Sequence, residues 1–236
     1  MKNTFVSVIV PCYNERGNIL PLISAIHHEL SFCRHEIIVV DDNSPDGTYA
    51  LVTSKRLPYV KAICRPRDPS LARSIRTGLE AARGNIFIAM DSDFNHDPGY
   101  IPHMVMNLEH YDCVSASRFV YGGKMESRFR HVASWFFNIF VRLVTRKFVT
   151  DSLYGYWAIK KKVIERIPYG RVFWGYGDYC IRLMYYLQEE GASILQFPAV
   201  NGRRKSGTGN SRFLKTLIQY TAETLKLAFG IFPREQ

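Results

Sequence analysis

Two aspartates, Asp91 and Asp93, stand one residue apart directly after a short apolar run over 85–90. Such a run predicts a buried strand, and ligands of open α/β sheets bind at the carboxyl ends of strands. Neighbouring carboxylates repel each other unless a cation lies between them, and Mg²⁺ typically takes one or two carboxylates together with substrate phosphates. The pair therefore suggests a metal–phosphate site. The alternative is that both residues only begin the following turn, where Asp is favoured.

Two further predicted strands end in polar loops. The apolar run over 5–10 ends at Pro11 and precedes a helix-like stretch over 18–30. The run over 36–40 ends in a carboxylate-rich, turn-forming segment over 41–47. Strands that alternate with helical stretches imply βαβ units and a parallel sheet, and right-handed crossovers place all three loops at one edge. We expect an α/β fold with its site at that edge.

The segments 10–15, 40–47 and 91–93 resemble the three signature loops of the family 2 glycosyltransferases. Within that family they are most similar to the dolichol-phosphate mannose synthases and related polyprenyl-phosphate sugar transferases. Later similarities lie at 116–123, 130–138, 151–155 and 204–212. The resemblance implies one Rossmann-like domain of the GT-A type over 1–212, with a mainly parallel central sheet. It also implies a C-terminal amphipathic helix or tail over 213–236 that does not span a membrane.

The resemblance places the nucleotide-sugar contacts in the strand-end loops and in a basic loop that acts as a lid. These contacts are Pro11, Tyr13, Glu15, Val40, Asp42, Asp91, Ser92, Asp93, Arg204 and Arg212. Because neighbours on a strand face opposite ways, only one of Asp41 and Asp42 points into the site. We choose Asp42 and expect Asp41 to tie the loop.

The resemblance also implies that Asp91 and Asp93 hold Mg²⁺ or Mn²⁺ against a diphosphate. Asn95 stands where the family usually has Gln and would add an oxygen ligand. The implied catalytic residues are Asp93, Arg118 and Arg130, with both arginines facing an acceptor phosphate. A planar guanidinium suits phosphate because it donates two parallel hydrogen bonds.

The implied reaction is an inverting transfer of a hexose, mannose or glucose, from a nucleoside-diphosphate sugar to a polyprenyl or dolichyl phosphate. A phosphate monoester is already an anion, whereas a sugar hydroxyl needs a general base. Asp178 would be that base if the acceptor were a glycan hydroxyl. Asp178 could equally be the N-cap of a helix over 179–190, and the sequence leaves both interpretations open.

Composition limits the other classes. The 236 residues fit one domain with extensions. A net charge of +10 makes nucleic acid the main competing partner, but no helix-turn-helix, zinc-finger or RRM pattern is present, so we expect no nucleic acid. Five cysteines without paired spacing favour a reducing compartment, and hence a cytoplasmic location.

The apolar stretches of the chain bear on whether the protein spans a membrane or lies on its surface. A span needs about 20 mostly apolar residues, and the most apolar window, 135–144, is interrupted by Asn138 and Arg142. The stretches 130–148 and 211–232 are basic and amphipathic, which is typical of helices that lie on anionic bilayers. Their apolar faces could instead pack on the protein, on another copy or on a membrane-anchored partner. We expect a peripheral protein at the cytoplasmic membrane face and leave a homo-oligomer open.

Overall fold

The computed structural model describes residues 4–125, 127–200 and 213–231. Strands and helices alternate along the first half, in the order β1 (Phe5–Cys12), α1 (Ile19–Glu29), β2 (Arg34–Asp41), α2 (Thr48–Ser54), β3 (Val60–Cys64), α3 (Leu71–Ala81), β4 (Ile86–Ala89) and α4 (Ile101–Asn107). The second half continues with β5 (Cys113–Ser117), α5 (Arg128–Thr145), β6 (Trp157–Lys160), α6 (Lys161–Ile164), α7 (Tyr169–Val172), α8 (Tyr179–Glu189), β7 (Ile194–Pro198) and α9 (Phe213–Ala228). The predicted helix over 18–30 is confirmed as α1.

The strands form a seven-stranded sheet in the order β3-β2-β1-β4-β6-β5-β7. The strands β1 to β4 pair in parallel, and so do β5 and β7, whereas β6 runs antiparallel to both β4 and β5. The inner strand β1 is almost continuously apolar and buried, and β2 carries a buried apolar run over 37–40, as expected for strands covered on both faces. The predicted α/β fold with a mainly parallel sheet is confirmed.

The direction of winding reverses at β1. This strand pairs with β2 on one side and with β4 on the other. The parallel register sets Cys12 opposite Asp41 and Ile9 opposite Ala89. The ends of the three strands therefore meet at one edge, beside the crevice where open α/β sheets bind ligands.

Two apolar layers cover the sheet. Val8 packs with α1 and α4 on one face, and its neighbour Ile9 packs with α3 and α8 on the other, as the two-residue period of a strand requires. The helix α3 crosses β1 closely at Gly78, where an added Cβ would lie 2.4 Å from Ile9 Cγ2. Only glycine allows this approach.

The long helix α5 has two apolar faces. Its buried face carries Phe137 and Val141, which pack against Ile181 of α8 and Leu227 of α9. Phe140 is partly buried against the same cluster, so it belongs to the packed side of the helix. The opposite face is exposed and carries an apolar stripe that consists of Phe129, Val132, Phe136 and Leu143. Among the described residues, none of the helices combines the length and the apolar character needed to cross a bilayer.

Because α5 has a buried and an exposed face, the same substitution at two adjacent positions should change the free energy of unfolding by very different amounts. Phe137 is 8% exposed and Phe136 is 61% exposed. Phe137→Ala should lower the free energy of unfolding by about 3 kcal/mol, because it leaves a cavity between α5, α8 and α9. Phe136→Ala should change it by less than about 0.5 kcal/mol. Urea denaturation followed by circular dichroism measures both, and equal losses would show that the buried face is assigned wrongly.

Candidate active site

The loop after β2 is closed by Asp41. Its carboxylate accepts hydrogen bonds from Ser44 N at 2.8 Å, from Ser44 Oγ at 2.5 Å and from Cys12 Sγ at 3.5 Å. Burial, and then the nearby Asp41 carboxylate, raise the pKa of the Cys12 thiol well above its ordinary value. Cys12 is therefore a hydrogen-bond donor and not a nucleophile. The prediction that Asp41 ties the loop is confirmed.

Asp42 points to the other side, towards the start of α3. Its carboxylate accepts from Ser70 N at 2.7 Å and from Ser74 Oγ at 2.6 Å, and it forms an ion pair with Arg65. These contacts hold a buried negative charge at the predicted base-binding position. A contact between Asp42 and a nucleotide base stays a prediction.

The other predicted donor contacts lie on the same edge with different exposure. Tyr13 is exposed at the end of β1, whereas Pro11 and Val40 are buried within their strands. Glu15 is half-buried, and its Oε2 accepts from Asn18 Nδ2 at 2.7 Å. A buried strand residue such as Val40 can offer a ligand only its backbone or a packing surface.

The loop over 91–97 carries the paired carboxylates. Asp93 and the intervening Ser92 are buried, whereas the Asp91 side chain is 42% exposed. The Asp93 carboxylate accepts from Asn95 N at 3.1 Å and from Asn95 Nδ2 at 2.7 Å. In this arrangement Asn95 orients Asp93 through its amide nitrogen. Direct coordination of a metal by Asn95 stays a prediction.

A buried histidine supports this loop from beneath. His96 Nδ1 accepts the backbone N–H of Asp91 at 2.9 Å, and its Nε2 lies 3.5 Å from Asp91 Oδ2. Its ring stacks on Tyr156 and meets the edge of Tyr154. Burial lowers the pKa of His96, against the opposing effect of Asp91 and Asp93. Sequence reasoning missed this residue, and its only signal was its place in the turn after Asp93.

The donor set at the end of β4 fits a hard divalent cation. Among the described residues, no three His, Cys, Asp or Glu side chains form a complete metal cluster. Asp91 and Asp93 supply two carboxylates, which suits an ion that takes its other ligands from a diphosphate and water. A transition metal bound wholly by protein side chains does not fit this set.

Arg118 is buried in a two-pronged ion pair. Its Nε and Nη2 donate to the fully buried Asp151 carboxylate at 2.7 and 2.9 Å. Its guanidinium carbon lies 5.2 Å from the centre of the Tyr154 ring. Asp151 therefore fixes one edge of the guanidinium, and Nη1 on the other edge lies 3.7 Å from Met125 Sδ.

Among the described residues, Arg130 does not join the pair of Arg118 and Asp151. Arg130 is exposed in the first turn of α5, and no hydrogen bond or ion pair among the described residues joins it to Arg118 or to the carboxylates. Arg204 and Arg212 lie outside the described residues. Their roles stay predictions.

Asp178 is fully buried beside Arg182. Its Oδ1 accepts from Tyr176 N at 2.9 Å, and its Oδ2 lies 2.5 Å from Arg182 Nη1. Asp178 does occupy the N-cap position of α8, but its side chain makes no capping hydrogen bond. The interpretation as a helix cap is therefore correct in position and wrong in mechanism. The carboxylate is closed off by the arginine one turn later.

A chain of hydrogen bonds through Ser70 joins the loop before α8 to the end of β2. Ser70 begins α3, and its hydroxyl donates to the Gly175 carbonyl oxygen at 2.6 Å. The same residue donates its backbone N–H to Asp42. The loop before α8 is thus held against the end of β2.

A doubly wound sheet with carboxylates at its switch point is the arrangement in which open α/β proteins bind ligands. Residues 7–168 match the model of Glycosyl transferase family 2, and the chain belongs to that family. The predicted family and the predicted enzyme class, a glycosyltransferase, are both confirmed. This assignment sets aside the nucleic-acid-binding alternative.

Named relatives fall into one group of enzymes. The chain is 31% identical to a dolichol-phosphate mannosyltransferase of Pyrococcus furiosus, over 94% of this chain and 63% of the relative. It is 29% identical to the dolichol-phosphate mannosyltransferase of Saccharomyces cerevisiae, over 67% of this chain and 62% of the relative. An undecaprenyl-phosphate 4-deoxy-4-formamido-L-arabinose transferase of Pectobacterium carotovorum is 27% identical, over 90% of this chain and 64% of the relative. The chain thus spans less than two thirds of the length of these relatives.

Solved structures confirm the fold. Glucosyl-3-phosphoglycerate synthase of Mycobacterium tuberculosis, in complex with Mn²⁺, UDP and glucosyl-3-phosphoglycerate, superposes with a TM-score of 0.76 at 21% identity, covering 99% of this chain and 82% of that one. The same enzyme with Mg²⁺ and UDP gives a TM-score of 0.73 at 21% identity, covering 99% of this chain and 82% of that one. The predicted GT-A architecture is confirmed.

Proposed function

We propose that the protein transfers a hexose, mannose or glucose, from a nucleoside-diphosphate sugar to a polyprenyl or dolichyl phosphate, with inversion at the sugar's anomeric carbon. The names of the relatives support a polyprenyl-phosphate acceptor. The observation that carries the choice of acceptor is the burial of Asp178 against Arg182. The one carboxylate predicted as a general base is closed off, and a phosphate acceptor needs none.

The donor would bind along the ends of β1, β2 and β4. Bound UDP with Mn²⁺ or Mg²⁺ in the structural neighbours supports a diphosphate donor with a divalent cation. Asp91 and Asp93 would hold the cation, which neutralises charge on the departing nucleoside diphosphate. Asn95 keeps the Asp93 carboxylate in place through two hydrogen bonds. Arg204 and Arg212 complete the proposed set of donor contacts.

The acceptor phosphate would lie near Arg118 and Arg130. Asp151 holds one edge of the Arg118 guanidinium with two hydrogen bonds, so the group is oriented before a phosphate arrives. Binding then orders one fewer long side chain, which reduces the entropic cost of recognition. Arg130 stands exposed near the start of the apolar stripe, where an anionic lipid head group would approach.

The apolar stripe on α5 supports a membrane-bound acceptor. Phe129, Val132, Phe136 and Leu143 recur three, four and seven residues apart, which places them on one face of the helix. The opposite face is packed on α8 and α9. An exposed apolar face flanked by arginines is typical of helices that lie in the interface of anionic membranes. The protein would therefore work as a peripheral protein at the cytoplasmic face.

A transfer assay tests the acceptor. Labelled GDP-mannose, GDP-glucose and UDP-glucose are offered with Mn²⁺ and either a polyprenyl phosphate, the matching polyprenol or a soluble glycan. We expect product with the phosphate alone, and Asp178→Asn should keep a substantial share of that activity if it folds. Transfer to the glycan that is lost in a folded Asp178→Asn protein would favour the rival hydroxyl acceptor.

The carboxylate pair predicts that nucleotide binding depends on a divalent ion. Calorimetry should show that a chelator weakens nucleoside diphosphate binding at least tenfold, and that Asp93→Ala removes the dependence on Mn²⁺. Asp97→Asn is the matched control, because Asp97 is an exposed carboxylate on the same loop whose side chain accepts a hydrogen bond from Gly99 N. Metal-dependent binding by the Asp93→Ala protein would contradict the proposed site.

The apolar stripe predicts membrane binding with two components. Basic residues contribute roughly 1 kcal/mol each near an anionic surface, and salt screens this part. Burial of apolar area does not depend on salt in this way. Sedimentation with phosphatidylserine vesicles should therefore fall with salt without vanishing, and Phe136→Ser with Leu143→Ser should remove the salt-resistant part.

The control for that experiment is Phe32→Ser with Met106→Ser, since both are exposed apolar side chains away from α5. The control protein should sediment like the wild type. A wild-type protein that does not sediment with vesicles at any salt concentration would contradict the membrane proposal and favour a soluble acceptor.

A further inference from the structure

Three buried rings form an aromatic clamp beneath the carboxylate loop: His96, Tyr154 and Tyr156. The Tyr154 hydroxyl donates to the Asn95 carbonyl oxygen at 3.2 Å, and the Tyr156 hydroxyl donates to the Asp97 carbonyl oxygen at 2.9 Å. The two tyrosines, which lie just before β6, thus bind the backbone of the carboxylate loop. His96 belongs to the loop itself and lies between them.

The His96 ring has one fixed orientation. It is 2% exposed, its centroid lies 4.9 Å from that of Tyr156 with the planes nearly parallel, and Tyr154 meets it edge-on at 4.7 Å. Rotation of the ring would need both tyrosines to move. Close packing of this kind limits a side chain to one rotamer.

The hydrogen bonds fix the tautomer as well as the orientation. Nδ1 accepts the backbone N–H of Asp91 at 2.9 Å, so Nδ1 carries no proton and the ring is neutral. The ring proton is therefore on Nε2, which faces Asp91 Oδ2 at 3.5 Å. The same ring thus binds the backbone N–H of Asp91 and stands 3.5 Å from the carboxylate of that residue.

Asp91 needs such support more than Asp93 does. Asn95 already holds Asp93 with two hydrogen bonds, whereas the Asp91 side chain is half exposed. Among the described residues, the neutral His96 ring reaches within 3.5 Å of the Asp91 carboxylate. Carboxylates that bind metals are commonly oriented by an outer hydrogen-bonding group, and loss of that group typically weakens metal affinity about 10- to 100-fold.

We propose that His96 is a positioning residue that sets the Asp91 carboxylate for a divalent cation and its diphosphate. This inference rests on the proposed function, because it assigns Asp91 to the donor site. His96 acts through Asp91 and does not touch the sugar or the acceptor. In this proposal the Nε2–H orients the Asp91 carboxylate, whereas Nδ1 accepts the hydrogen bond from the Asp91 backbone N–H.

Two substitutions of His96 distinguish the contribution of Nδ1 from that of Nε2. In His96→Asn the amide oxygen can replace Nδ1 as acceptor for the Asp91 N–H, but nothing reaches the Nε2 position. In His96→Gln the longer side chain can place an amide N–H near the Nε2 position. Tyr156→Phe is the matched control, because it removes the bond to Asp97 and keeps the stacked ring.

The dissociation constant of Mn²⁺ is measured from the paramagnetic resonance signal of free Mn²⁺, with GDP and with UDP. We expect His96→Asn to raise it about tenfold or more, His96→Gln to restore it to within a few-fold, and Tyr156→Phe to leave it within a few-fold. The thermal unfolding of each variant is measured as well, so that its metal affinity can be compared with its stability. A merely structural role predicts that metal affinity follows the loss of thermal stability and that His96→Gln rescues nothing.

Wild-type protein gives a second test that needs no variant. Imidazole ¹⁵N resonances should show a proton on Nε2 of His96, and the Nε2 resonance should shift when Mg²⁺ and the nucleoside diphosphate are added together. Wild-type metal affinity in a folded His96→Asn protein, or an Nε2 resonance that does not move, overturns the role of His96 while the proposed function stands. Absence of any Mn²⁺ uptake by the wild type with either nucleotide overturns both.

Discussion

Negative charge is concentrated at the edge where β1, β2 and β4 end, and the surrounding structure is arranged to hold it. The parallel register of β1 with its two neighbours brings these ends together. Each aspartate there has its own local partner. The carboxylate of Asp41 is held by Ser44, that of Asp42 by Arg65 and that of Asp93 by Asn95. The backbone N–H of Asp91 is held by His96. Carboxylates gathered in this way need compensation, because like charges at short distances in a poorly solvated site repel strongly.

The same edge is linked to the second half of the chain. Ser70 connects the end of β2 to the loop at Gly175, and Asp178 in that loop pairs with Arg182. Arg182 Nη1 lies 3.8 Å from Oε2 of Glu223 in α9, and α9 packs on the buried face of α5. The edge where β1, β2 and β4 end and the helix that carries the apolar stripe are therefore parts of one packed unit.

Much of this arrangement could be predicted from local patterns. Apolar runs predicted β1, β2 and β4 within about two residues of their observed bounds, because buried parallel strands are almost continuously apolar. The two-residue period of a strand separated Asp41 from Asp42 correctly. The basic and amphipathic character of 130–148 predicted a helix with an apolar face, and α5 covers most of that stretch.

Other features depend on contacts that no local pattern encodes. The bond from Tyr154 to Asn95 spans 59 residues, so the clamp around His96 could not be inferred from either segment. Periodicity did not separate Phe140 from Phe136, because both faces of α5 are apolar and only the position of α9 decides which is buried. The pairing of Asp178 with Arg182 follows helical spacing, but its complete burial follows from the packing of α8 and α9.

We propose that a metal–diphosphate donor binds at the carboxylates at the end of β4. Crystals grown with Mn²⁺ and a nucleoside diphosphate, with diffraction data collected at the manganese absorption edge, would locate the metal. We predict one anomalous peak within bonding distance of Asp91 or Asp93, with the diphosphate on its other side. A bound nucleotide whose Mn²⁺ peak lies away from both carboxylates, or which has no Mn²⁺ peak, would contradict the claim.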